Sequence, residues 1–155
     1  MPFIFDDNLK QSLDSLFPQR VRAPSEKGSI ERFIQIKIPN TYRNIHYELH
    51  NRKNKIINKF VGRFELHIEG RGIKDKNAQE YKVIKKIVQK INEKGITKYG
   101  AKDCSYMSKN IYQFRFWLDK DIDSFESPNA KNDLIDFVTF FDDIFQDLIN
   151  QGYFR

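Results

Sequence analysis

All three histidines of the chain fall in two short stretches, and each is flanked two residues away by a glutamate. His46, Glu48 and His50 alternate with Ile45, Tyr47 and Leu49, while Glu65, His67 and Glu69 alternate with Phe64, Leu66 and Ile68. Residues two apart on a strand share a face. With both apolar sets turned to a core, the six polar side chains converge on the opposite, solvent-facing side. Directly opposed residues in such a pair have Cβ atoms about 4.5–5.5 Å apart, close enough to form ion pairs or share a divalent metal. The plainest use is a ladder of charge pairs completed by Lys37, Arg63 and Arg115, with His46 opposite Glu65 and Glu48 opposite Arg63. A metal site would draw on His46, Glu48, Glu65 and His67, without any helix-borne motif such as His-Glu-x-x-His. The third use is docking of a partner's loop or of nucleic acid, although Glu48, Glu65 and Glu69 would repel phosphate.

A metal-dependent nuclease needs carboxylates to hold Mg²⁺ or Mn²⁺ and a lysine to stabilise charge. Glu48, with Glu65-Leu-His67 on the next strand, resembles the PD-(D/E)xK nuclease arrangement, which would make Glu48, Glu65, His67 and Glu69 the catalytic set. The Pro-Asp is missing, and His67 stands in place of the lysine. A histidine is mostly neutral at pH 7 and stabilises less charge than an ammonium. Nucleophilic catalysis has less to build on. Cys104 and the serines Ser29, Ser105 and Ser108 have no recognisable base, and Gly70-Arg-Gly72 lacks the remainder of a phosphate loop.

Lysines form the second constellation. Lys82, Lys86 and Lys90 recur every four residues, a row along one side of a helix, and Arg52, Lys53 and Lys55 make a separate basic tip. Both suit sequence-independent contacts with a phosphate backbone; both also suit a solvated surface. Net charge is +6, divided as +12 over residues 1–118 and −6 over residues 119–155. Such a dipolar chain can steer an anionic partner to one side, or its halves can neutralise one another. Phe33, Tyr99, Tyr106 and Trp117 are the aromatics that could stack on single strands.

The elements that must position these groups follow from periodicity. Leu9, Leu13, Leu16 and Phe17 mark a first helix, closed by Pro18. Alternation over 31–38, 44–50 and 60–69 gives three strands of an antiparallel meander. Residues 75–93 take helical period, with Ala78, Tyr81, Ile84, Val88 and Ile91 inward and Ile87 flanking that stripe. Short strands follow at 96–101 and 111–118, and Ser127-Pro128 opens a long helix with a wide apolar face. The expectation is one α+β domain over residues 1–155, in the order α-β-β-β-α-β-β-α, with an antiparallel sheet of four or five strands covered by helices on one face. With 14 Phe, 7 Tyr and 1 Trp, aromatic volume compensates for a hydrophobic fraction of 39%. The lone cysteine excludes an internal disulfide framework and fits a reducing cytoplasm, and no apolar run approaches a membrane span.

In Ile45-His-Tyr-Glu-Leu-His50 and Gly62-Arg-Phe-Glu-Leu-His-Ile-Glu69, with the helix, strands and aromatic-rich helix that follow, the chain resembles uncharacterised bacterial α+β domains. Those domains accompany nuclease and restriction-type proteins. The resemblance covers the layout of residues 30–150 and implies a connection to DNA metabolism or phage–host conflict, with no catalytic residue. The reading favoured by charge and resemblance together is a non-catalytic, cytoplasmic binding module that needs no cofactor. It would engage nucleic acid, or a protein that handles it, through Arg52, Lys53, Lys55, Lys82, Lys86 and Lys90. The alternatives are the Mg²⁺- or Mn²⁺-dependent nuclease and an inhibitor protein acting through its acidic final helix.

Overall fold

The computed structural model describes residues 7–22, 33–56, 59–70, 75–93, 99–108, 111–118 and 128–154. Helix α1 spans Asp7–Leu16 and buries Leu9, Leu13 and the following Phe17, one per turn. Pro18 cannot continue it, and Gln19 at φ 62° turns the chain into the two-residue strand β1, Val21–Arg22. Strands β2 (Phe33–Lys37), β3 (Ile45–Asn54) and β4 (Lys59–Gly70) then run as the expected meander. Helix α2 spans Gln79–Glu93, β5 spans Tyr99–Ser108, β6 spans Ile111–Leu118 and α3 spans Pro128–Asn150.

The sheet has the order β1-β2-β3-β4-β6-β5, and every adjacent pair is antiparallel. The molecule is thus an α+β protein whose antiparallel sheet follows the expected order, extended by β1 at one edge. Two antiparallel steps separate β4 from β5, so these run parallel and α2 carries the chain past the position that β6 later fills. The strand expected at 96–101 lies at Tyr99–Ser108, with register shifts between Lys102 and Ser105 and between Tyr106 and Ser108. Cys104 lies in this irregular stretch. The expected cap at Ser127 lies outside the described residues.

The core sits on one face of the sheet. Ile34, Ile36, Ile45, Tyr47, Leu49, Phe64, Leu66, Ile68, Phe116 and Leu118 alternate inward and meet the three helices. On α2 the buried residues are Val83, Ile84 and Ile87, whereas Ala78 and Tyr81 are half-buried, so the helix is turned from the expected stripe. Branched aliphatics fill the core without a hydroxyl to satisfy, which Tyr81 carries. Helix α3 crosses the sheet on its phenylalanines. Phe137 packs against Tyr47 at 6.1 Å and Phe64 at 5.4 Å between ring centroids, and Phe141 lies 5.6 Å from Phe116. Gly152, at φ 85°, closes α3: its N–H donates to Ile149 O and that of Tyr153 to Leu148 O, each at 3.0 Å.

A polar bolt joins these layers. Arg20 grips Asp142 of α3 with both terminal nitrogens, at 2.8 and 3.0 Å, and its Nε donates to Lys37 O at 2.8 Å. The Tyr47 hydroxyl, buried beneath α3, donates to Asp142 Oδ1 at 2.9 Å.

Candidate functional site

The register of β3 against β4 pairs Ile45 with Ile68, Tyr47 with Leu66 and Leu49 with Phe64. Apolar partners thereby meet on the core face, and the polar face follows: His46 opposite His67, Glu48 opposite Glu65 and His50 opposite Arg63. The expected pairing of His46 with Glu65 and of Glu48 with Arg63 is two residues out of step. A shift of two leaves every side chain on its face, so facial patterning alone cannot distinguish these registers. What the observed one gains is a layered arrangement. Lys37, His46, His67 and Arg115 form one row across the sheet, and Glu48 and Glu65 occupy the next. Opposite charges therefore meet along the strands and on diagonals.

These six side chains gather as expected, but they are not a wet surface. His46 is 3%, Glu65 1% and His67 4% exposed, with Glu48, His50 and Glu69 half-buried. Large neighbours on the same face account for this. Gln35 Nε2 approaches His46 Nε2 at 3.3 Å, and Arg115 Nη1 lies 4.0 Å from Glu65. The Arg63 guanidinium stacks on Trp117 at 4.7 Å, which occupies the aromatic face that could have served a base. Phe33 is half-buried, and the side chains of Tyr99 and Tyr106 lie outside the described residues.

Glu65 is the anchor. Its Oε2 lies 2.5 Å from His67 Nε2 and 3.3 Å from His50 Nε2, and its Oε1 lies 2.9 Å from Arg63 Nε. The Arg63 contact is an ion pair rather than a hydrogen bond, because the N–H does not point at the oxygen. Burial pushes the Glu65 carboxyl up, but hydrogen bonds and charge from His50 and His67 outweigh it and hold the group at about 2. Glu48 is likewise pushed up by burial and held at about 2 by His46 and His67. For His67, burial favours the neutral ring, yet Glu48, Glu65 and Glu69 together lift its pKa well above the usual value.

His46, Glu48 and His67 each offer one ligand atom within 4.8 Å of the others, as do His50, Glu65 and His67. The four residues expected to form one metal set are therefore not one set: Glu65 sits on the far nitrogen of His67, in the second group.

No family model, curated protein or solved structure matches this chain.

The lysines occupy a different region. On α2, Lys82 and Lys85 are exposed and Lys86 is half-buried, on the side away from Val83, Ile84 and Ile87. Lys90 lies 3.5 Å from Glu93, which partly neutralises it. At the β3–β4 tip Lys55 is exposed, while the side chains of Arg52 and Lys53 lie outside the described residues. On α3, Asp136, Asp143 and Asp147 are exposed, whereas Asp142 is engaged by Arg20 and Tyr47. Gln35 and the Arg20–Asp142–Tyr47 bolt were not among the expected functional residues. Gln35 was legible as a polar-face residue of its strand; nothing in spacing or composition marks a contact spanning 122 positions.

Proposed function

We propose that the chain is a non-catalytic binding module that engages nucleic acid, or a protein that handles it, through the lysine-bearing side of α2 and the basic β3–β4 tip. The observation that carries this reading is the exposed pair Lys82 and Lys85, with half-buried Lys86 beside them, on a helix whose opposite side is anchored in the core. Rigidly mounted ammonium groups meet phosphates without ordering a loop first. The resemblance in layout to nuclease-associated domains and the lone cysteine extend the proposal to a cytoplasmic role in bacterial conflict with phage.

Fluorescence anisotropy with labelled duplex DNA, single-stranded DNA and RNA tests it. Binding should weaken steadily as salt rises, and K82E/K85E/K86E should bind far less tightly at low salt. Absence of binding at low ionic strength to all three, and to any nucleic-acid-handling protein in a pull-down, would refute the proposal.

A second reading has its own support. Asp136, Asp143 and Asp147 recur at helical spacing on the exposed side of α3, a row of negative charge that can occupy a cleft built for phosphates. An inhibitor of that kind would lose its target on D143K/D147K and keep it on K82E/K86E. The nuclease reading on Glu48, Glu65, His67 and Glu69 has less support, because Glu65 and His67 are buried and Glu65 is already surrounded by cations.

A further inference from the structure

On the polar face, Glu48 Oε2 and Glu69 Oε1 each approach the same two nitrogens, His46 Nε2 and His67 Nδ1. Glu48 Oε2 lies 3.4 Å from each of the two nitrogens. Glu69 Oε1 lies 3.8 Å from His46 Nε2 and 3.7 Å from His67 Nδ1. All four separations exceed the roughly 2.7–2.9 Å of a charge-assisted hydrogen bond. His46, Glu48 and His67, whose ligand atoms all lie within 4.8 Å of one another, suit three corners of a tetrahedron instead: ligands at about 2.0–2.2 Å from a zinc ion stand about 3.3–3.6 Å apart.

The far side of each imidazole supplies the second half of the argument. His46 Nδ1 lies 3.2 Å from Arg43 O, and a carbonyl can only accept, so Nδ1 carries a proton and Nε2 is the nitrogen turned inward. His67 Nε2 is 2.5 Å from Glu65 Oε2, which fixes the proton there and turns Nδ1 inward. A carbonyl or carboxylate behind each ligating ring is how metal sites orient their histidines and raise their basicity. Glu65 is in turn held by Arg63 and His50, so the outer support is itself braced. Glu69 is braced through its backbone: its N–H donates to Asn44 O at 3.0 Å, and the Asn44 side-chain amide donates to Glu69 O. The Gln35 amide, 3.3 Å from His46 Nε2, competes for that nitrogen, and the ion would displace it.

We propose that His46, Glu48 and His67 hold a single borderline divalent ion, zinc in the first instance, with Glu65 as the outer-sphere partner of His67. Two imidazoles select zinc-like ions over Mg²⁺ and Ca²⁺, which take oxygen ligands in larger shells. The site ties β3, which carries His46 and Glu48, to β4, which carries His67. The second triad is not a site: the 2.5 Å between His67 Nε2 and Glu65 is a hydrogen-bond length, too short for two ligands of one ion.

The test uses the full chain freed of metal by a chelator. Zinc is titrated in competition with a chromophoric chelator, and cobalt(II) is added in parallel and read in the visible. Expected are one zinc per chain, the intense absorption of tetrahedral cobalt, and a rise in Tm with zinc but not with magnesium. Glu48→Gln should weaken zinc by more than about 100-fold, beyond what loss of an outer-shell partner usually costs. Asp14→Asn, exposed on α1 and away from the set, should leave the affinity unchanged. Failure of the wild-type chain to compete for zinc, a weak octahedral cobalt spectrum, or equal affinity in wild type and Glu48→Gln would each overturn the proposal. The cobalt spectrum needs no variant, so it decides the matter even where a substitution prevents folding.

Discussion

At the residue scale, Glu65 is the most consequential single side chain on the polar face. A carboxylate 1% exposed survives as an anion only because His50, Arg63 and His67 surround it. Replacing it with the isosteric neutral amide keeps the shape and strands the cations. Glu65→Gln should therefore destabilise the metal-free chain by about 3–5 kcal/mol, the usual cost of removing one member of a buried pair. Urea unfolding measures this, and a loss below about 1 kcal/mol would mean that the cluster is solvated like a surface ladder. Much of this site was legible beforehand. Period-two alternation around Tyr47 and Leu66 brings the imidazoles and glutamates to one face, and it did so without coordinates. Two things were not legible. The register depends on which apolar pairs meet, and a slip of two changes no facial pattern. Burial of His46 and His67 depends on how far Gln35, Arg63 and Arg115 reach across from neighbouring positions, which alternation does not encode.

At the element scale, the question is what holds α3 to the sheet. Phe137, wedged between Tyr47 and Phe64, is fully buried, and Phe137→Ala should cost about 3–5 kcal/mol by leaving a cavity under the helix. The hydrogen bond from Tyr47 to Asp142 contributes less, because Asp142 keeps Arg20: Tyr47→Phe should cost about 0.5–1.5 kcal/mol. It also carries a pH signature. Burial, then the charge and hydrogen bond of Asp142, raise the Tyr47 pKa well above 10. A group raised on folding contributes stability in full below its unfolded pKa and loses it as pH rises toward the folded value. The wild-type chain should thus lose stability progressively above about pH 10, and Tyr47→Phe should flatten that limb of the curve. An alkaline limb of equal slope in both proteins would dissociate the phenol from it. The helices were legible from their apolar spacing and the turn at Pro18, but the rotation of α2 toward Val83 was not, since Tyr81 fits the same stripe until the core volume is known. The two-residue β1 is too short to leave any periodic trace.

At the scale of the whole molecule, charge is segregated. The body of residues 1–118 carries +12 and the remainder −6, and among the described residues no helix is long and apolar enough to cross a membrane. The buried His/Glu cluster and the exposed lysines of α2 are separate features, one closed and one open to partners. The proposed account assigns binding to the second alone, through phosphate neutralisation. Each lysine that contacts a phosphate should then contribute about one unit to the slope of log affinity against log salt. The most direct measurement is that slope, taken by anisotropy on one labelled nucleic acid for the wild type, K82E/K85E/K86E and His50→Gln. The account predicts a clear negative slope for the wild type, the same slope for His50→Gln, and a shallower slope with weaker binding for the triple variant. Equal affinity and equal slope in all three would contradict it.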